Sequence, residues 1–137
     1  MAKDYTEELM LYSSFEEMDK LEPFVTQLKE QLSLSEEQYN QILLPLSEAV
    51  SNAIIHGNDQ DPNKKVTVEA QCSGSTLEIS VSDEGPGFDP LSLPEPLKEE
   101  NLLNKSGRGV YLIKQYADEV IFSKGGAKIT MRFTLDG

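Results

Sequence analysis

Apolar residues recur at helical spacing in two stretches of this chain and alternate with polar ones in several others. Met18, Leu21, Val25, Leu28 and Leu32 fall three or four residues apart, the spacing of one buried helix face. Ser14 and Glu17 have the separation of a capping box, which predicts a helix from about Ser14 to about Leu32. Ser35 and Gln38 repeat that signal, and a second helix is predicted to run to about His56, where Gly57 ends it. Its buried stripe is Ile42, Leu46, Ala49, Val50 and Ala53. At about 100° per residue, Gln41, Glu48, Asn52 and His56 fall roughly opposite that stripe. Pro45 lies inside this helix and removes a backbone donor, so a kink or a different boundary is expected there.

Strands are predicted elsewhere. "LMLYSS", residues 9–14, reads as a first strand. "KVTVEAQC" and "TLEISVS" alternate and are joined by Ser73, Gly74 and Ser75, which predicts a hairpin. "EVIFSKGGAKITMRFTL" predicts another around Gly125 and Gly126, with Ile129, Met131, Phe133 and Leu135 on one face. Between the hairpins, residues 83–106 form a loop rich in Gly, Pro and charge, long enough to be functional or mobile. A short helix from about Gly109 to Tyr116 follows it. The order predicts an α+β fold: a two-layer α/β sandwich with helices on one face of a mixed, mostly antiparallel sheet. Residues 1–137 read as a single domain.

Composition narrows the function. The formal net charge of −12 argues against direct nucleic-acid binding, which needs concentrated Lys and Arg, and against an anionic membrane surface. An anionic nucleotide remains compatible if a metal ion and backbone donors receive it. No run approaches the ~20 apolar residues of a membrane span, and the acidic N-terminus lacks an apolar signal core, so a cytoplasmic location is expected. The single cysteine, Cys72, excludes an internal disulfide and reads as a small strand residue.

Three stretches carry candidate chemistry. Glu48 and Asn52, spaced i, i+4, point the same way from their helix. A carboxylate there can act as a general base, and an amide oxygen is a hard ligand suited to Mg2+; a solvated helix surface would carry the same residues. "VSDEGPGFDP" ends a strand at Asp83 and supplies Gly85 and Gly87, which permit close approach of a ligand to the backbone; a simple Gly-Pro turn would read the same way. "KSGRGVYLI" places Gly107, Arg108 and Gly109 before a helix, where free N–H groups favour phosphate, with Lys105 and Arg108 adding positive charge. A flexible loop leading into a helix is the alternative. The string is neither a P-loop nor a dinucleotide fingerprint.

In this order, E-x-x-x-N on a helix, D-x-G-x-G-F-D after a strand and G-R-G-x-x-L-I opening a helix resemble the N box and the two glycine boxes of the Bergerat-fold, histidine-kinase-like ATPases. "SEAVSNAIIHGN", "VSDEGPGFDP" and "GRGVYLIKQYADEV" resemble the anti-sigma factor serine/threonine kinases within that group, over nearly the whole chain from about Leu9 to Leu135. The resemblance implies ATP and Mg2+ as cofactors. It implies Glu48 as general base, Asn52 as Mg2+ ligand and Asp83 as acceptor of the adenine amino group, with Gly85 and Gly87 beside the base. It implies an ATP lid over about residues 89–106. The segment Gly107, Arg108, Gly109 and Val110, with Lys105 nearby, would hold the β- and γ-phosphates, and the Thr130 hydroxyl would join Asp83 at the adenine. His56 is expected to be structural, Phe88 to pack at the lid root, and Tyr111 and Tyr116 to be core or rim. The implied partners are an anti-anti-sigma factor carrying the target serine and a sigma factor, with the kinase a homodimer. An ATP-binding regulatory switch without phosphotransfer is the competing reading. The catalytic half of a histidine kinase is disfavoured, because the single histidine lies in the 36–56 helix and there is no room for a phosphoacceptor hairpin. A structural domain that binds no nucleotide is the remaining alternative.

Overall fold

A computed structural model describes residues 4–58, 61–85, 113–123 and 127–135. Five strands form one sheet: β1 (Tyr5–Tyr12), β2 (Lys65–Ser73), β3 (Thr76–Ser82), β4 (Glu119–Ser123) and β5 (Lys128–Thr134), in the spatial order β1-β2-β3-β5-β4. Every ladder among the described residues is antiparallel, in keeping with the mostly antiparallel sheet of the α+β fold expected from the sequence. The expected first strand, residues 9–14, is corrected to Tyr5–Tyr12. Its register against β2 pairs Tyr5 with Cys72 and Tyr12 with Lys65, and pairing to a full-length neighbour recruits the polar residues ahead of Leu9.

The first predicted helix is two pieces, a 3-10 turn at Phe15–Lys20 and helix α1 at Leu21–Leu32. Ser14 does cap the 3-10 turn, accepting the Glu16 N–H at 3.3 Å, but Glu17 accepts the Tyr12 N–H at 3.0 Å instead of closing a box on Ser14. Helix α2, Glu36–Asn52, opens with the expected box: the Gln38 N–H donates to Ser35 Oγ at 3.0 Å and the Ser35 N–H to Gln38 Oε1 at 2.9 Å. Removing this cap with Ser35→Ala is expected to destabilise the protein by about 1 kcal/mol. Urea unfolding would show it as a lower midpoint with an unchanged slope.

Helix α2 runs through the buried Pro45. The carbonyl that loses its donor belongs to Gln41, on the exposed side, where water can serve it. A π-helical turn, Ala53–Gly57, follows directly, and the Asn58 N–H donates to the Ala53 carbonyl at 2.8 Å. Such turns are frequent at functional positions.

Strict alternation buries one face of the sheet under the helices. Val66, Val68, Ala70 and Cys72 of β2, Leu77, Ile79 and Val81 of β3, and Met131 and Phe133 of β5 join Leu21, Phe24, Val25, Leu28, Ile42, Leu46, Val50 and Ile54 in one core. Cys72 is the small buried strand residue that its context predicts, and burial raises its thiol pKa. The opposite face is mostly polar, with Met10, Tyr12 and Ile121 exposed on it: Arg132 donates to Glu78 Oε2 at 2.8 Å and also pairs with Glu119. At the β2–β3 turn, Gly74 adopts φ +63°, a conformation open to glycine at no steric cost.

Candidate functional site

Glu48 and Asn52 lie in the last turns of α2, both half-buried. Ala49, Val50 and Ala53 face the core from the same turns, so packing fixes the rotation of the helix and sets the direction of the two polar side chains. Neither side chain makes a hydrogen bond to another described residue, which leaves both free for a ligand.

Asp83 follows the last residue of β3. Its N–H donates to the Ala127 carbonyl at 2.9 Å, extending the β3–β5 pairing by one residue. Val81 points to the helix-covered face and Ser82 away from it, so the alternation returns Asp83 to the covered face. The Gly85 N–H donates to Asp83 Oδ1 at 2.8 Å, leaving the second carboxylate oxygen available to accept from a ligand. Burial raises the Asp83 pKa, opposed by the Gly85 hydrogen bond and by the charge of Lys64. A desolvated carboxylate with one oxygen already occupied is chemically suited to an amino group, such as the exocyclic amine of adenine.

Asn58 joins these two regions. It is 0% exposed and all its polar atoms are used. Its Nδ2 donates to Ser13 Oγ at 2.8 Å and to the Lys65 carbonyl at 3.0 Å, and its Oδ1 accepts the Glu84 N–H at 2.7 Å. Ser13 in turn donates to the Lys64 carbonyl at 3.0 Å. The segment carrying Glu48 and Asn52 thus ends on a residue bonded to the turn that carries Asp83. Sequence reasoning missed Asn58 and Ser13. Asn58 directly after the Gly57 stop was the available signal, but its burial depends on β1 and β2, which are distant in the chain.

Thr130 requires a correction. It lies opposite Ser80 in the β3–β5 ladder, on the sheet face away from the helices, and its hydroxyl is 3.1 Å from Ser80 Oγ. Asp83 faces the covered side, so the structure does not bring Thr130 to it. The period of two in β5, anchored by buried Met131 and Phe133, decides this. Tyr116 is 42% exposed and lines a groove of about 580 Å³ with Glu37, Asn40, Gln41, Leu43, Leu44 and Ser47, a lining that includes none of Glu48, Asn52 and Asp83. Gly87, Phe88, residues 89–106 expected to form the lid, Lys105, Gly107, Arg108, Gly109, Val110 and Tyr111 lie outside the described residues, as does the side chain of His56. Residues 113–116 are helical, the last part of the helix expected over 109–116.

One neutral oxygen from Asn52 fits a Mg2+ site, since this ion keeps several waters and takes its remaining ligands from substrate phosphates. No group of three or more His, Cys, Asp or Glu suited to a metal occurs among the described residues. No helix among them is long and apolar enough to cross a membrane.

The family model of the histidine kinase-like ATPase domain matches residues 13–133. The chain is 33% identical over 113 residues to the anti-sigma F factor of Lysinibacillus sphaericus, covering 80% of this chain and 77% of that protein. It is 37% identical over 107 residues to the anti-sigma F factor of Clostridium perfringens strain SM101, covering 74% and 76%. The match to the anti-sigma F factor of Shouchella clausii, at 36% identity, takes in 66% of this chain but 63% of that relative's length. In fold, the chain is similar to the crystal structure of the RsbU and RsbW domains of a protein from Mycobacterium tuberculosis. The TM-score is 0.69 at 16% identity, covering 96% of this chain and 32% of that one.

Proposed function

Because this chain belongs to the histidine kinase-like ATPase family, we propose that it is an ATP-dependent anti-sigma factor and serine kinase. In this reading it phosphorylates an anti-anti-sigma partner and, as a homodimer, sequesters a sigma factor. The observation that carries the reading is the junction at Asn58, which ties the end of the Glu48 and Asn52 segment to the Asp83 turn. The names of its relatives direct that site towards anti-sigma function.

Asp83 accepts the adenine amino group on the oxygen that Gly85 leaves unoccupied. Asn52 would hold Mg2+, which when bound neutralises phosphate charge and orients the transferring group. Glu48 accepts the proton of the partner's serine hydroxyl as that oxygen bonds to the γ-phosphorus and the bridging oxygen departs with ADP. Alignment by Asn52 and Asp83 supplies most of the acceleration, because phosphoryl transfer asks mainly for positioning and charge stabilisation. Lys105, Gly107, Arg108, Gly109 and Val110 belong to the same reading as phosphate contacts, with Gly87 beside the base.

The test is incubation with ATP, Mg2+ and candidate partner proteins, followed by mass spectrometry for phosphoserine on the partner. Stoichiometric phosphoserine is the expected result. ATP-dependent partner binding with no phosphoserine would replace the kinase by a nucleotide-gated binding module.

A further inference from the structure

Asp83 can recognise an amino group only if its carboxylate is aimed, and its direction follows from the backbone on either side of it. Two consecutive amides fix that backbone. The Asp83 N–H is held from the sheet side by the Ala127 carbonyl at 2.9 Å, and the Glu84 N–H is held by Asn58 Oδ1 at 2.7 Å. Asn58 cannot swing to follow a moving turn, because its Nδ2 is bonded both to Ser13 and to the Lys65 carbonyl, and its own backbone is bonded to Ala53 and Asp61.

We propose that Asn58 is a positioning residue of the adenine site, setting the direction of Asp83 through the Glu84 N–H while anchored to the β1 and β2 ends. The inference rests on the assignment of Asp83 to adenine made above. A side chain that merely filled space would contribute stability alone. A positioning side chain contributes selectivity for the amino group as well.

The experiment compares binding of ATP, of inosine triphosphate, which carries a carbonyl where adenine carries the amino group, and of inorganic tripolyphosphate. Wild-type protein prefers ATP to inosine triphosphate. In Asn58→Ala that preference falls by roughly 2- to 10-fold, the worth of one lost hydrogen bond, while tripolyphosphate affinity is unchanged. Asn58→Ser, too short to reach the Glu84 N–H but still polar, loses the preference in the same way and covers the case in which the alanine variant does not fold. A folded Asn58→Ala or Asn58→Ser protein with the wild-type preference overturns the role of Asn58 and leaves Asp83 in place. Wild-type protein that binds the two nucleotides equally removes Asp83 from adenine recognition, and this inference with it.

Discussion

Glu48→Gln is expected to bind ATP as the wild type does and to transfer phosphate ~10²- to 10⁴-fold more slowly, the range of a lost general base. Glutamine has the size and shape of glutamate but cannot take up a proton at neutral pH. The substitution therefore leaves the shape of the site intact. Glu48 stands half-buried between the core residues Ala49 and Leu46 and makes no hydrogen bond to another described side chain, so the fold has little to lose. Calorimetric titration with ATP and single-turnover phosphoserine formation separate the two effects. Equal transfer rates in the two proteins would remove Glu48 from the role of base and leave the nucleotide site standing.

Asp83→Asn should weaken ATP binding by ~10- to 100-fold, since a hydrogen bond to a charged acceptor is lost. The asparagine oxygen can keep the Gly85 N–H, which turns the amide NH2 toward the adenine amino group, donor against donor. The same substitution should raise the melting temperature of the ligand-free protein at neutral pH. Burial holds the pKa of Asp83 above its ordinary value, so the folded state binds this proton more tightly than the unfolded chain. The stability that the group contributes is complete below the unfolded pKa and is lost as pH rises through the raised folded value. Above that raised value the wild type carries an ionised, partly desolvated carboxylate at a net cost that asparagine avoids. The stability gap should close as the pH falls into the carboxylate range. Unchanged ATP affinity would move adenine recognition elsewhere, and a lower melting temperature at every pH would contradict the desolvation argument. A residue that weakens the fold while serving the ligand is the trade-off expected of a binding site.

Much of the frame was legible in the string because it depends on local periodicity. The Ser35–Gln38 box, the β2–β3 hairpin and the buried faces of β3 and β5 follow from spacing that the final fold does not override. The beginning of β1 was not legible. Tyr5 to Glu8 carry a mostly polar pattern, and they become strand because β2 offers a partner of matching length. The 3-10 turn ahead of α1 was hidden for a similar reason: Glu17, which fits a capping box by spacing, is diverted to the Tyr12 N–H at the end of β1.

The chain alone determined which chemical groups are present and which of them share a helix face. Glu48 and Asn52 are paired by the 3.6-residue period, whatever lies around them. Only the tertiary structure decided which groups meet. Register across the β3–β5 ladder turns Thr130 to the polar face and Asp83 to the covered one, and a shift of one residue would reverse that outcome. Burial beneath the ends of β1 and β2 turns Asn58 from a residue after a helix stop into the link between the α2 segment and the Asp83 turn. Periodicity is a property of neighbours in sequence, whereas register and burial are set by strands far apart in the chain.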